Sequence, residues 1–352
     1  MKMAIHPHRK MTTAVFGLSL SAAIVLSACS TASTPSAQAS GGATKAGPYT
    51  IAVLAASSQN GYNQAVYQGV KEYAAKVDPT IKFKLLDGQF NSDTQLSQLE
   101  NVTSDAQYSG VIVVPNDGPT LAAAFPTANE IPVVTVLNPI GPNIDTMEPQ
   151  VKGVISTVAV SPSEAAAKQA ADVVTYCEKI NPCKVAIIVG NLGATLDVAR
   201  RDAYQKVLST HDNIKIVAAV QGAYDPDKSL TAISNVLQST PDLNVILSNA
   251  DQQTEGAQIA LKNAGIDPST VYLTGGGGTK AAVAAVRAGT WKADYVNFPV
   301  SMGAAAMEQL YNALTGKKVT PVVNADKVGA TEPFANKETL DKTPGFLGEW
   351  AG

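Results

Sequence analysis

The sequence predicts an α/β chain built as two lobes, each a parallel sheet flanked by helices. From Ile51 nearly to the end, short apolar runs alternate with helical patterns, as in sheets whose strands pair in parallel under helices on both faces. A length of 352 residues favours two cores over one. The alternation breaks at Asn138–Gly153, where Pro139, Pro142, Pro149 and two glycines leave little apolar period.

The first unit organises the rest. Ile51, Val53 and Leu54 form a buried-strand run, Ser57 to Gly61 break it, and Val66, Val70 and Tyr73 recur at helical spacing. The polar turn therefore sits at the carboxyl end of a strand and opens a helix, where open parallel sheets hold ligands. Further strands are predicted at 83–87, 110–114, 132–137, 185–189, 214–220, 245–248 and 271–274, with helices at 95–106, 163–177, 196–208, 228–238 and 254–264 between them. The extended run Val154–Val160 carries the chain across to the second lobe.

Lys2, Arg9 and Lys10 followed by an apolar stretch from Ala14 to Leu26 read as an export signal, too short to span a bilayer. Its ending, Leu26-Ser27-Ala28-Cys29, resembles the lipobox of bacterial lipoproteins, which implies that Cys29 is lipidated and becomes the first residue of a mature chain anchored to the outer face of the cell membrane. Residues 1–28 are thus a signal peptide, and 29–48 a Ser-, Thr-, Ala- and Gly-rich tether. Without the three leader cations, 23 of 26 Lys and Arg face 29 Asp and Glu, a formal charge of −6 that argues against nucleic acid. Cys177 and Cys183, six positions apart in an exported chain, are expected to form a disulfide. A single histidine outside the leader, His211, gives little support to a metal site or a Ser-His-Asp triad, so neither metal nor cofactor is expected and the chain is read as a binding protein rather than an enzyme.

Four stretches in order resemble the type I periplasmic substrate-binding proteins of ABC transporters, in the ribose- and galactose-binding branch. They are Gln59-Asn60-Gly61-Tyr62-Asn63 with Gly69; Asp87-Gly88-Gln89-Phe90-Asn91 with Gln95 and Gln98; Ser248-Asn249-Ala250-Asp251 with Glu255-Gly256-Ala257; and Ala288-Gly289-Thr290 leading to Asn297 and Phe298-Pro299. The resemblance implies Rossmann-like lobes joined by a three-crossover hinge, with the ligand in the interlobe cleft, and a monomer that delivers a small-molecule ligand (sugar, polyol or related compound) to a membrane permease. It divides the chain into a first lobe of 49–157 plus 298–326 and a second of 158–297 plus 327–352. A ligand sensor facing a membrane receptor or kinase and, more remotely, an exported enzyme are the alternatives. Where the family often has Asp-Arg at the end of the fourth strand this chain has Leu137-Asn138, an early helical Arg aligns with Val198, and a carboxylate falls within Gly275–Gly278. The charged clamp on sugar hydroxyls is therefore expected to be largely dismantled, with Arg200 and Arg201 outside direct ligand contact.

The expected ligand contacts are Asn60, Tyr62 and Asn63 in the first turn, Asn116 after the third strand, Asn138 at the hinge-facing strand end, Asn191 after the fifth strand, Asp251, Gly277 and Asn297. Most are amides, which both donate and accept and so suit a hydroxylated ligand. Each also has a plainer reading as a turn or capping residue, Asp251 above all.

Overall fold

The computed structural model describes residues 48–352. The expected signal peptide, the lipidation of Cys29 and nearly all of the tether lie outside the described residues.

The first sheet gathers β1 (Thr50–Ala55), β2 (Lys82–Asp87), β3 (Gly110–Val113), β4 (Val133–Val136) and β5 (Val154–Ala159), threaded by α1 (Gly61–Val77), α2 (Ser92–Ser104) and the short α3 (Gly118–Leu121). The second gathers β6 (Cys183–Val189), β7 (Ile214–Gln221), β8 (Val245–Ser248), β9 (Tyr272–Gly276) and β10 (Ala293–Tyr295). Its helices are α4 (Pro162–Cys177), α5 (Thr195–Leu208), α6 (Pro226–Ser239), α7 (Asp251–Asn263) and α8 (Lys280–Ala288). After β10 the chain returns through α9 (Pro299–Leu314) to β11 (Val322–Asn324) at the edge of the first sheet, then crosses again to β12 (Phe334–Asn336) and α10 (Lys337–Asp341).

The strand orders are β11-β5-β4-β3-β1-β2 and β12-β10-β9-β8-β6-β7. Every pairing is parallel except β10 with β12. The chain thus passes between sheets three times, after β5, after β10 and after β11, which makes a three-stranded hinge of two α/β lobes.

Alternation along β1 shows why both faces are apolar. Ile51 and Val53 face α1 and α9 through Val66, Val70, Met302 and Leu310, while Ala52 and Leu54 face α2 through Leu99 and Val102. Helices α1 and α9 meet at two glycines: a Cβ on Gly69 would lie 1.8 Å from the Val300 carbonyl oxygen, and one on Gly303 2.0 Å from that of Val66. Cys177, at the end of α4, is joined to Cys183, at the start of β6. The three-residue strands β10, β11 and β12 are too short to show a period, so sequence reading passed over them. No described helix is long and apolar enough to cross a membrane.

Candidate functional site

Both sheets present their carboxyl strand ends to one cavity of about 760 Å³. The first lobe supplies the β1–α1 turn. There Asn60 caps α1, accepting from the Asn63 N–H at 3.3 Å and the Asn63 side-chain amide at 3.1 Å, while Asn63 Oδ1 accepts from the Ala56 N–H at 3.0 Å. Tyr62 turns its hydroxyl to Met302 Sδ at 3.3 Å, and burial pushes that hydroxyl's pKa up. Asn116 donates to the Ala56 carbonyl at 3.3 Å and Asn138 to the Pro115 carbonyl at 3.0 Å, leaving Asn138 Oδ1 buried without a partner.

The second lobe supplies charge. Asp197 is buried on α5 and accepts from the Tyr224 hydroxyl at 2.6 Å, the Asn249 amide at 2.7 Å and the Asn191 N–H at 2.7 Å. Burial, and then the neighbouring Asp197 carboxylate, hold the Tyr224 hydroxyl well above its usual pKa, so it stays a donor. Arg200, one turn along, sits 4.0 Å from Asp197 with its side chain only 14% exposed, and makes no hydrogen bond to protein among the described residues. It lines the cavity. A nearly buried guanidinium with donors to spare is poised for an uncharged or anionic oxygen from outside the protein.

The lobes also touch across the cleft. Asp117, capping α3 in the first lobe, accepts from the Thr195 hydroxyl at the start of α5 in the second. Burial alone would raise the Asp117 pKa, but hydrogen bonds from Thr120 and Thr195 outweigh it and hold the carboxyl below its ordinary value.

Of the sequence-predicted contacts, Asn60, Tyr62, Asn63, Asn116, Asn138, Asn191, Gly277 and Asn297 line this cavity. Asp251 does not. Its side chain is fully buried beneath the loop after β9, where Oδ2 accepts from the Thr279 N–H at 2.8 Å, so it lies outside the cavity wall and does not cap its own helix. Two further expectations concern charge. Arg200 belongs to the cavity wall, whereas Arg201 pairs with Asp202 at 2.7 Å. The site keeps charged groups in Arg200, Asp197 and Asp117, delivered from positions other than those compared in the sequence.

Sequence reasoning also missed Phe90, Tyr224 and Trp350 as cavity-lining rings. A signal for the first two exists: Gly88-Gln89-Phe90-Asn91 and Gly222-Ala223-Tyr224-Asp225 repeat a Gly-x-aromatic-cap pattern after the second strand of each sheet.

Two facing sheets, a three-stranded hinge and a cavity at the strand ends agree with the comparisons. The periplasmic binding protein domain family matches residues 51–318. The chain belongs to that family. Among periplasmic binding proteins, the ribose import binding protein RbsB of Bacillus subtilis is 25% identical over 320 residues, spanning 90% of this chain and 97% of that relative. The D-allose-binding periplasmic protein of Escherichia coli is 31% identical over 142 residues, 40% of this chain and 45% of its own. An ABC transporter periplasmic solute binding protein from Actinobacillus succinogenes with bound D-allose has TM-score 0.71 at 22% identity, over 84% of this chain and all of the other (100%). One from Bacillus halodurans with bound myo-inositol has TM-score 0.71 at 20% identity, over 84% and 97%. These two likenesses show the fold of a type I periplasmic binding protein.

Proposed function

We propose that the chain is an extracytoplasmic solute-binding lipoprotein that captures a sugar, polyol or related hydroxylated compound and delivers it to an ABC importer permease. The observation that carries this reading is Arg200, with its donors unspent beside Asp197 in a cavity walled by aromatic rings and amides from both lobes. A charge-assisted donor, an acceptor and ring faces together suit hydroxyl groups set on a carbon ring. The relatives' names, ribose and allose binding among them, support the same ligand class.

In this reading Tyr62, Asn116, Asn191, Gly277 and Asn297 contact the ligand beside Arg200, while Asn60, Asn63 and Asn138 hold the strand ends that present them. The lobes run over residues 49–157 plus 298–326 and 158–297 plus 327–352. Bound ligand bridges them and favours the closed arrangement, which a permease reads. The protein acts as a monomer tethered by lipid on Cys29.

A thermal-shift screen against D-ribose, D-allose, D-galactose, D-fucose, L-arabinose and myo-inositol tests the reading. Binding at about one hundred times the dissociation constant stabilises the folded state by about 2.7 kcal/mol, a readily measured rise. No rise with any of them contradicts it.

A further inference from the structure

One wall of the cavity comes from far along the chain. After α10 the tail runs back over both lobes: Phe346 packs edge-on to Phe298 at 5.9 Å, and Glu349 accepts from the N–H of Ser301 at 3.1 Å and from its hydroxyl. Trp350 then enters the cavity wall, its backbone carbonyl accepting from the Lys280 N–H at 2.9 Å. Its indole N–H donates to the Gly277 carbonyl at 2.7 Å, and the ring stands edge-on to Tyr62 at 5.8 Å.

Gly277 explains itself here. Its φ is +151°, and a Cβ added to it would lie 2.9 Å from Trp350 Cζ2 and 3.0 Å from Asp251 Oδ2. The indole therefore occupies space that any larger residue at 277 would claim. Asp251 and Asp294 hold the loop beneath it through the N–H groups of Thr279 and Gly278, at 2.8 and 2.9 Å.

The polar atoms of this corner are already used. The Trp350 N–H is spent on Gly277 and the Tyr62 hydroxyl on Met302, while the Gly277 N–H donates to the Tyr295 carbonyl at 2.9 Å. The donors of Tyr62, Trp350 and Gly277 are thus spent within the protein and the indole turns carbon to the cavity, whereas Arg200 and Asn191 offer donors and acceptors. A ligand hydroxyl seated against the indole would lose its water and find no unspent donor on these three residues.

Taking the sugar-binding reading above as its basis, we propose that Trp350 is a specificity-determining residue, selecting a hydroxylated ring that carries a deoxygenated carbon where it meets the indole. The tail is thus part of the binding site and sets its preference for a deoxy sugar over the fully hydroxylated counterpart.

Two sugar pairs test this by calorimetry, D-fucose with D-galactose and 2-deoxy-D-ribose with D-ribose. Wild type should bind the deoxy member of at least one pair about tenfold more tightly, within the range that one misplaced group produces. Trp350→Ala should reduce that ratio to about twofold or less, and Trp350→Phe should keep it. Emission offers a second reading, because the chain has two tryptophans and Trp291 is buried with its N–H on Gln258 at 2.6 Å. In a Trp291→Phe background, saturating deoxy sugar should change the intensity or wavelength of Trp350 emission. A preference for the hydroxylated members, a preference that survives Trp350→Ala, or binding that leaves Trp350 emission unchanged overturns the proposal while leaving sugar binding intact. Absence of heat with all four sugars overturns it too and, together with a flat thermal-shift screen, takes the sugar-binding reading with it.

Discussion

The rings of Phe90 and Tyr224 stack across the cleft with centroids 6.0 Å apart and planes 18° from parallel. Each follows the second strand of its own sheet, and each sits in a left-handed pair: φ is 54° and 51° at Gln89 and Phe90, and 53° and 55° at Ala223 and Tyr224. Non-glycine residues rarely adopt this conformation, and two facing pairs that do so present one ring apiece to the cleft mouth. Tyr224 is further seated on Gly190, where an added Cβ would lie 2.1 Å from its ring.

Phe90→Ala removes half of that stack from a ring that is 51% exposed, so the ligand-free fold should melt nearly as wild type does. Aromatic pairs contribute about 0.5–1.5 kcal/mol, so release of ligand should quicken by about two- to tenfold. Stopped-flow displacement measures this. An unchanged off-rate would mean that the stack does not hold the cleft shut.

The buried pair Asp251 and Asp294 gives a pH dependence of defined sign. Burial raises both carboxyls above the ordinary 3.8, Asp294 further because Asp251 beside it adds charge repulsion. Each also has an Oδ1 without a partner unless one proton is shared between them. A raised folded-state pKa contributes stability in full below about 3.8 and loses it as pH rises through the folded value. Asp294→Asn, neutral throughout, escapes that loss, so its melting temperature relative to wild type should climb between pH 4 and pH 8. Parallel pH profiles for the two proteins would rule out the shared proton.

The turn at 57–61 was legible because its determinants are local: a strand run, a cap and a helical period within one stretch. The alternation likewise announced two parallel sheets. Residues that reach the site through three-dimensional placement were not legible. Asp197 lies in the first turn of α5 and Arg200 one turn further, and only the tilt of that helix decides which of its faces meets the cavity. Asp251 misled because Asn249, two residues earlier, faces the cavity, while the helix start carries Asp251 beneath the Gly277 loop. Trp350 is separated by 73 residues from its partner Gly277, and no periodicity links them.

Cys29→Ala should release the exported protein from the membrane fraction into the soluble one, since Leu26-Ser27-Ala28-Cys29 would no longer offer a lipid acceptor. Intact mass of the native N-terminal peptide checks it directly. An unmodified cysteine with unchanged fractionation would refute the anchor.

The central claim is that a sugar-like ligand is held in the cleft by Arg200. Calorimetric titration of the best ligand from the screen into wild type and Arg200→Gln tests it most directly. Losing a charge-assisted hydrogen bond from a nearly buried guanidinium should weaken binding by about 1.5–3 kcal/mol, or about one to two decades in dissociation constant. The ligand-free melting temperature should fall somewhat, because Arg200 is also the cation 4.0 Å from the buried Asp197 carboxylate, so both proteins are titrated well below their ligand-free melting temperatures. Equal affinity in the two proteins would contradict the account and place the ligand elsewhere.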